Sequence, residues 1–317
     1  MKYFIIFISL CTFVYAKISP IKITPDGYVQ TKDFHIVDSK VVTFDRIGWQ
    51  KFYGISALAY DSETQILYML SDRSRLFKFK LTIHDDKITK LKAIWGHRLC
   101  DKNGRKFFIR HSDSEGMTLV KKGDQKILLV SFEQFPKVMA FDLNGRELSQ
   151  NEFNLTRLYE PLNHIKTYRA KNTMLESITY SKKFGVIVTP EYPIAKKPFI
   201  GPHALYNQNG VICTFKKTNP YGAITELETM PDGNLLALQR EFNFETFKTI
   251  ISLEKIYLDH QKNGTCQTKD VVNMTKKAGW KLDNFEGLTH IKDNLYLIIS
   301  DDNGNIFQKT LLVLFRI

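Results

Sequence analysis

Acidic side chains recur at corresponding points along the chain, and acids brought together in this way can bind a metal ion or transfer protons. Five of them end a short apolar strand and three begin the strand before: Asp72, Glu133, Glu191, Glu241 and Asp301 at the ends, Glu115, Glu176 and Glu286 at the starts. Ionised carboxylates that lie close together are unstable unless some keep a proton or a cation neutralises them. Calcium suits such a set, because it takes about six to eight oxygen ligands without strict geometry.

The acids are expected to contribute to different degrees. Glu115, Glu176, Glu286 and Asp301 are the first candidates for calcium ligands, and Asp72, Glu133, Glu191 and Glu241 are the second. A calcium ion held there could bind a phosphate ester, polarise a phosphoryl oxygen and lower the pKa of a bound water. An acid copied in every repeat can instead be structural, since it can accept hydrogen bonds from loop N–H groups.

Two arginines, Arg73 and Arg240, each adjoin a strand-end acid. A guanidinium can clamp an anionic substrate with two hydrogen bonds, or it can neutralise the acids as a buried ion pair. The candidate catalytic residues are therefore Glu115, Glu176, Glu286, Arg73 and Arg240. His111 and His203 could act as bases if they face the same site, or they could lie in surface loops.

Several other kinds of active site are disfavoured. The sequence contains no Gly-x-Ser-x-Gly, His-Glu-x-x-His or Cys-x-x-Cys motif and no phosphate-cradling Gly-Lys-Ser/Thr loop. These motifs are typical of serine esterases, zinc peptidases, zinc ribbons and nucleotide hydrolases.

The acids must be positioned by a repeated pair of strands. The pairs read SALAY…YMLSD, EGMTL…LLVSFE, ESITY…VIVTPE, TELET…LALQRE and EGLTH…LIISD, and successive pairs start 49 to 61 residues apart. Two strands joined by a tight turn run antiparallel, so the start of the first lies beside the end of the second. If the pairs are arranged radially, all these ends meet at one mouth of a central channel.

Further β-rich runs leave room for two more strands in each repeat, as in a propeller blade. The sequence therefore predicts an all-β propeller of five four-stranded blades, or six if residues 18–48 form another. The last repeat has three obvious strands. We expect a strand from residues 35–44 to complete it, so that the two ends of the chain close the ring. A β-sandwich or a parallel β-helix is the alternative, although the period is too long for one β-helix coil.

The N-terminal residues 1–16, MKYFIIFISLCTFVYA, are typical of a secretory signal cleaved after Ala16. An uncleaved anchor is the alternative. We expect a single domain over residues 17–317 that is periplasmic or secreted and has no transmembrane segment after cleavage. Cys100, Cys213 and Cys266 remain in it. Because three is an odd number, at most one disulfide can form and one thiol is left over.

The chain is basic, with 45 lysines and arginines against 33 acids and a formal net charge of +12. This charge favours anionic partners such as phosphorylated substrates, acidic polysaccharide or lipid head groups. Nucleic acid is not an expected partner, because the lysines are dispersed and form no recognition motif. We expect a monomer that acts on an anionic small molecule.

The C-terminal part of the sequence resembles the closing signature of a known family. The segments are NFEGL at residues 284–288, ISDDN at 299–303 and QKTLL at 308–312, preceded in the same order by LSDR at 70–73, DSEGM at 113–117 and LQR at 238–240. Together they resemble the phytase-like, or "esterase-like activity of phytase", family of exported bacterial proteins. The resemblance implies a β-propeller with recurring acids and phosphoesterase-type hydrolysis.

Three functions are compatible with these features. The first is calcium-assisted hydrolysis of phosphate esters by an exported phytase-like propeller. The second is a non-catalytic propeller of the cell envelope that binds a ligand or partner at the same mouth. The third is a lactonase-type sugar-acid hydrolase, since such propellers also place carboxylates around a divalent ion. Whether the protein is an enzyme stays open at this point.

Overall fold

The computed structural model describes residues 17–107, 113–149, 155–243 and 248–317. The predicted signal segment, residues 1–16, and the candidate base His111 lie outside them. Helical structure in the described ranges is limited to the short 3-10 turns Glu160–Asn163, Ile165–Thr167 and Lys276–Ala278. None of the described helices is long and apolar enough to cross a membrane.

The strands follow one another in chain order as a series of antiparallel sheets. The N-terminal strands are β1 Lys17–Pro20, β2 His35–Thr43, β3 Arg46–Ile47 and β4 Gln50–Lys51. Blade 1 contains β5 Ile55–Asp61, β6 Ile66–Ser71, β7 Arg75–His84 and β8 Lys87–Arg98. Blade 2 contains β9 Ser114–Lys122, β10 Gln125–Phe132 and β11 Lys137–Phe141. Blade 3 contains β12 Leu175–Ser181, β13 Gly185–Pro190, β14 His203–Asn207 and β15 Gly210–Phe215.

The last two blades complete the series. Blade 4 contains β16 Ala223–Thr229, β17 Leu235–Asn243, β18 Lys248–Lys262 and β19 Thr265–Thr275. Blade 5 contains β20 Asn284–Lys292, β21 Leu295–Asp301 and β22 Leu311–Arg316, and its sheet is extended by β2 and β1.

The first strands of the blades form a closed ring. β5 packs against β9, β9 against β12, β12 against β16 and β16 against β20, and β20 returns to pack against β5. A ring of antiparallel sheets packed edge-inward around an axis is a β-propeller. The predicted fold is confirmed, with five blades over the described residues. Residues 18–48 do not form a sixth blade, because β1 and β2 join blade 5.

The ring is closed by the two ends of the chain, as the sequence predicted. β2 runs antiparallel to β22 from the His35–Arg316 pair to the Val41–Leu311 pair. This pairing gives blade 5 its fourth strand, and β1 adds a fifth on the outside. The N-terminal strand therefore holds the last blade in place.

Burial explains the sequence pattern of the strands. Inner strands are covered on both faces by neighbouring blades, so β6 and β21 are continuous buried runs. The outer strand β8 is mostly exposed or half-buried, as expected of a sheet edge that faces water. Between blades 5 and 1 the core includes Phe52, whose ring makes edge contacts with the rings of Phe77 and Phe79.

One disulfide joins neighbouring blades. Cys213 on β15 and Cys266 on β19 are bonded, and the adjacent residues Thr214 and Thr265 form a parallel bridge between blades 3 and 4. Cys100 is a free thiol. This pairing lies within the limit of at most one disulfide that the three cysteines set.

Candidate functional site: the acidic mouth

A β-bulge sits at the same place in all five inner strands. The register shift brackets one residue of the inner strand in four blades, Ser56, Glu176, Thr225 and Glu286, and two in blade 2, Glu115 and Gly116. The first bracketed residues are Ser56, Glu115, Glu176, Thr225 and Glu286. A bulge leaves its extra residue out of the ladder and re-aims that side chain. These five residues are the ones at which the sequence repeat begins. The fold therefore turns the first position of every repeat toward the end of the channel, which we call the mouth.

The residue two positions before each bulge lies opposite the end of the second strand. In blade 2 the N–H of Glu133 bonds the carbonyl of Asp113, and in blade 3 the N–H of Glu191 bonds that of Met174. The equivalent positions in the other blades are Asp72, Asp301 and, in blade 4, Arg240, which pairs with Ala223.

The strand-end residue of blade 4 corrects the sequence prediction. Glu241 was expected there, but the strand register places Arg240 at this position and Glu241 one residue beyond. Successive side chains of a strand point to opposite faces, so a shift of one residue exchanges the side chain that faces the site. Glu241 accordingly belongs to neither carboxylate group found among the described residues.

Two carboxylate groups share one member. Oxygens of Asp113, Glu115 and Glu133 lie within 4.8 Å of one another, and so do oxygens of Glu133, Glu176 and Glu191. Glu133 thus links blade 2 to blade 3. The structure brings together four of the acids that the sequence singled out and adds Asp113. The sequence signal for Asp113 was the parallel between DSEG at 113–116 and NFEG at 284–287.

Blades 5 and 1 place their acids near the same centre. Glu286 and Asp72 both contribute to raising the pKa of Asp301, after the larger effect of burial, and that pKa rises to about 8. Burial also raises the pKa of Asp72 to about 6, although Arg73 opposes the rise. Oδ1 of Asp72 is buried and has no hydrogen-bond partner among the described residues.

The remaining acids of the mouth are also hard to ionise. Burial is the first cause in each case, and neighbouring acids add to it. The pKa of Glu133 rises to about 8 and that of Glu191 to about 7, while those of Glu115 and Glu176 rise well above their usual range. Carboxyl groups in this state hold protons near neutral pH or require a cation.

Arg240 supplies positive charge among these acids. Its guanidinium donates to Glu286 and to Asn284, and its other terminal nitrogen lies 3.4 Å from Glu191. The nearby Glu286 and Glu191 carboxylates outweigh burial and raise the pKa of Arg240, so it stays charged. Blade 4 therefore contributes a cation at the position where each of the other four blades contributes an acid.

Arg73 is placed differently from Arg240. It lies at the outer edge of the mouth, where its Nε is 3.3 Å from Asp72 and its side chain is 46% exposed. The structure therefore places one predicted arginine in the ion-pair network and leaves the other accessible to solvent.

His203 lies in the core rather than in the mouth or a surface loop. It is fully buried, packs against Phe215, and its Nε2 is 2.9 Å from the carbonyl oxygen of Pro190 and 2.7 Å from the hydroxyl of Thr189. Burial lowers its pKa to about 3, so the ring is neutral at ordinary pH. His203 therefore does not meet the condition of facing the mouth, under which the sequence allowed it to act as a base.

Lys217 is a buried cation that the sequence did not distinguish from surface lysines. It is 3% exposed, donates to the carbonyl of Gly222 and stands over the ring of Tyr192 at 5.6 Å. Burial lowers its pKa to about 8, against the attraction of Glu191. In the sequence it is half of a Lys-Lys pair like several others, so nothing marked it as internal.

The chain matches one protein-family model and is similar to a solved structure. A family model described as "Phytase-like: Esterase-like activity of phytase" matches residues 50–304. Among curated proteins none matches the chain. A solved β-propeller domain of Cps50 (Swd1) from Myceliophteria thermophila is similar at 10% sequence identity and a TM-score of 0.38, over 95% of this chain and 99% of that one.

Proposed function

The chain belongs to the phytase-like family, whose description is "esterase-like activity of phytase", and we propose that it is an exported calcium-assisted hydrolase of phosphate esters. The observation that carries this proposal is the pair of carboxylate groups joined by Glu133 at the mouth. Their acids are buried and close together, which makes them costly to ionise without a cation. A bound cation would remove this cost, so we expect the site to bind one.

The oxygen positions fit a calcium ion. Calcium–oxygen distances are about 2.3–2.6 Å, so oxygens bound to one ion lie no more than roughly 5 Å apart. Both carboxylate groups meet this limit, with all separations within 4.8 Å. Glu133 would be shared, with Glu115 and Asp113 on one side and Glu176 and Glu191 on the other. When bound, calcium supplies positive charge that stabilises a phosphoryl group.

The protein's own side chains would orient the acids and handle protons. Arg240 is held by Glu286 and Asn284 and directs a second nitrogen toward Glu191. Glu191 and Glu133 have pKa values of about 7 and about 8. These values hold without calcium, and an ion bound at the two carboxylates would displace their protons, so calcium binding should release protons.

The substrate is proposed to be anionic. Arg73 is exposed at the edge of the mouth, and a guanidinium there can bind a phosphate with two hydrogen bonds. The net charge of +12 also favours the approach of anions. Arg240 is a weaker candidate for direct substrate contact, because its nitrogens are already engaged by acids.

A second candidate is a non-catalytic propeller of the cell envelope that binds a ligand at the mouth. The ion pairs of Arg240 favour it, because they neutralise the acids without any reaction. The two functions share the calcium site and differ in turnover.

Calcium titration by calorimetry at pH 8 tests the site. We expect binding by the wild-type protein and at least tenfold weaker binding by Glu133→Gln and Glu176→Gln. Asp124→Asn is the matched control, because Asp124 is an exposed acid in the turn between β9 and β10, at the opposite end of blade 2. Unchanged calcium affinity in Glu133→Gln would overturn the assignment.

Turnover assays then separate the two functions. The panel is p-nitrophenyl phosphate, bis-p-nitrophenyl phosphate and a sugar lactone, each with calcium or with a chelator. Calcium-dependent release of p-nitrophenol from either phosphate ester supports the hydrolase. Calcium binding without turnover of any of the three favours the binding propeller, and turnover of the lactone alone would favour the lactonase-type reaction.

A further inference from the structure

Several large apolar side chains are exposed around the outside of the mouth. Several connections between strands lie at this end of the propeller, and we call five of them the mouth rim: residues 72–74, 133–136, 191–202, 216–222 and 302–310. The rim exposes Phe135, Phe199, Ile200, Tyr221, Ile306 and Phe307. These come from the second, third and fifth blades and from the connection into the fourth. Apolar groups gathered on one face in this way mark an interaction surface.

The largest projection is held in a fixed shape. Ile306 and Phe307 are 90% and 87% exposed. Asp302 anchors one end of their connection by accepting hydrogen bonds from the N–H of Gly54 and the hydroxyl of Thr310. Asp283 anchors the other end through the N–H of Lys309. Two apolar side chains on an anchored turn cost free energy in water, so we expect them to be covered by a partner.

The charge of the rim indicates the partner. The neighbouring connection at this end, residues 44–54, carries one exposed acid, Asp45, beside the exposed bases Arg46 and Lys51. Within the rim every exposed charged side chain is basic, while its acids are buried or half-buried in the mouth. The exposed basic residues are Arg73, Lys196, Lys197, Lys216 and Lys309. They alternate with the apolar residues, so that Lys196 and Lys197 precede Phe199 and Lys309 follows Phe307. Aromatic and aliphatic groups interleaved with lysine are typical of surfaces that lie on anionic lipid.

We propose that the mouth rim docks the protein on anionic lipid bilayers, with Ile306 and Phe307 entering the headgroup region. A second copy of the chain fits this surface poorly, because each copy carries a net charge of +12 and presents the same basic rim. The proposal does not depend on hydrolysis or on calcium, since none of the exposed apolar and basic residues of the rim belongs to either carboxylate group.

Vesicle flotation in the presence of a chelator tests the proposal. The purified protein is mixed with vesicles of phosphatidylcholine alone or of equimolar phosphatidylcholine and phosphatidylglycerol. We expect binding to the anionic vesicles that weakens with added salt, and at least tenfold weaker binding to phosphatidylcholine. Ile306→Ser with Phe307→Ser should reduce the affinity at least tenfold. Lys309→Gln should reduce it about fivefold.

The matched control is Val211→Ser, which removes an exposed apolar side chain near the start of β15, at the other end of blade 3. It should bind vesicles like the wild type, and unfolding temperatures should show that all variants are folded. Equal binding to both kinds of vesicle, or full binding by the Ile306 and Phe307 double variant, would overturn the proposal. So would light scattering that shows a dimer dissociated by the same double variant.

Discussion

Arg240 on β17 and Glu286 on β20 form an ion pair between neighbouring blades, and Asn284 holds both partners. The same guanidinium lies 3.4 Å from Glu191 in the preceding blade. One side chain therefore connects blades 3, 4 and 5 at the mouth. The mouth contains more acids than Arg240 can neutralise, and this excess of negative charge determines how the protein should respond to substitution, pH and calcium.

Replacing Arg240 should destabilise the protein strongly. Arg240→Met leaves Glu286 and Glu191 buried without their cation, and removing one partner of a buried ion pair costs about 3–5 kcal/mol. Urea denaturation at pH 8 without calcium measures this loss of unfolding free energy. Arg73→Met is the matched control, because Arg73 is 46% exposed beside Asp72 and its pair should contribute about 1 kcal/mol at most. Equal losses in the two variants would show that Arg240 does not stabilise the buried acids.

Stability without calcium should fall as pH rises from 6.5 to 8. The folded-state pKa values of Glu133 and Asp301 are raised to about 8 and that of Glu191 to about 7, whereas the unfolded chain releases these protons near the ordinary values of 4.5 and 3.8. The folded state therefore binds more protons in this window, and stability is lost as pH rises through the folded pKa values. Thermal unfolding in a chelator measures the fall.

Calcium should remove that dependence on pH. We expect the increase in unfolding temperature caused by calcium to be larger at pH 8 than at pH 6.5, because the ion replaces the lost protons as neutralising charge. Glu133→Gln with Asp301→Asn should show a smaller fall between these two pH values and a smaller calcium effect. An equal calcium effect in this variant would contradict the explanation.

The sequence repeat alone predicted much of this architecture. Hairpins that begin at Ser56, Glu115, Glu176, Thr225 and Glu286 became the inner strand pairs, and residues 35–44 closed the ring through β2. The periodicity carries this information because every blade uses the same strand pair. Burial of the inner strands on both faces also leaves a visible apolar signal.

The details of the site depended on register, which composition does not reveal. The bulge shifts the pairing by one residue in every inner strand, and the hairpin register of blade 4 pairs Ala223 with Arg240, which puts Arg240 rather than Glu241 at the mouth. Lys217 and His203 looked like surface residues, because their burial follows from contacts between segments distant in sequence. The cysteine count allowed one disulfide but could not choose between pairs.

His203 should make the protein less stable below pH 6.5. Its folded-state pKa is lowered to about 3 from 6.5, so the unfolded chain binds a proton that the folded chain excludes. Stability is therefore present above pH 6.5 and is lost as pH falls toward 3, by about 1.4 kcal/mol per pH unit from this group. The difference in unfolding free energy between wild type and His203→Gln, measured from pH 5 to 6.5, should change at nearly this slope at pH 5 and at about half of it at pH 6.5. A constant difference would show that His203 does not titrate in this way.

Gly116 should be required for the approach of blades 2 and 3. A Cβ at this position would lie 2.7 Å from the carbonyl oxygen of Glu176 and 2.9 Å from the nitrogen of Ile178, which are backbone atoms of the next inner strand. Gly116→Ala must push β9 and β12 apart, so we expect a loss of about 1–3 kcal/mol in unfolding free energy and weaker calcium binding. Gly201→Ala is the control, since its nearest contact would be an ordinary 3.5 Å. Calcium affinity unaffected by Gly116→Ala would argue against a shared site between these blades.

The disulfide should stabilise the ring without acting on the mouth. Cys213 and Cys266 are 53 residues apart in sequence, and closing a loop of this length reduces the entropy of the unfolded chain by an amount equivalent to about 4 kcal/mol. The double variant Cys213→Ala with Cys266→Ala should lose up to this much unfolding free energy and keep its calcium affinity, because the bond joins outer strands. Cys100→Ala, which removes the free thiol, should lose little unfolding free energy.

Both bonded cysteines are buried, so a reductant should open the bond only after unfolding. The native wild type should therefore react with thiol reagents at Cys100 alone. A native protein that releases three reactive thiols under mild reduction would contradict this, since it would mean that the blade 3–blade 4 junction opens while the propeller is intact.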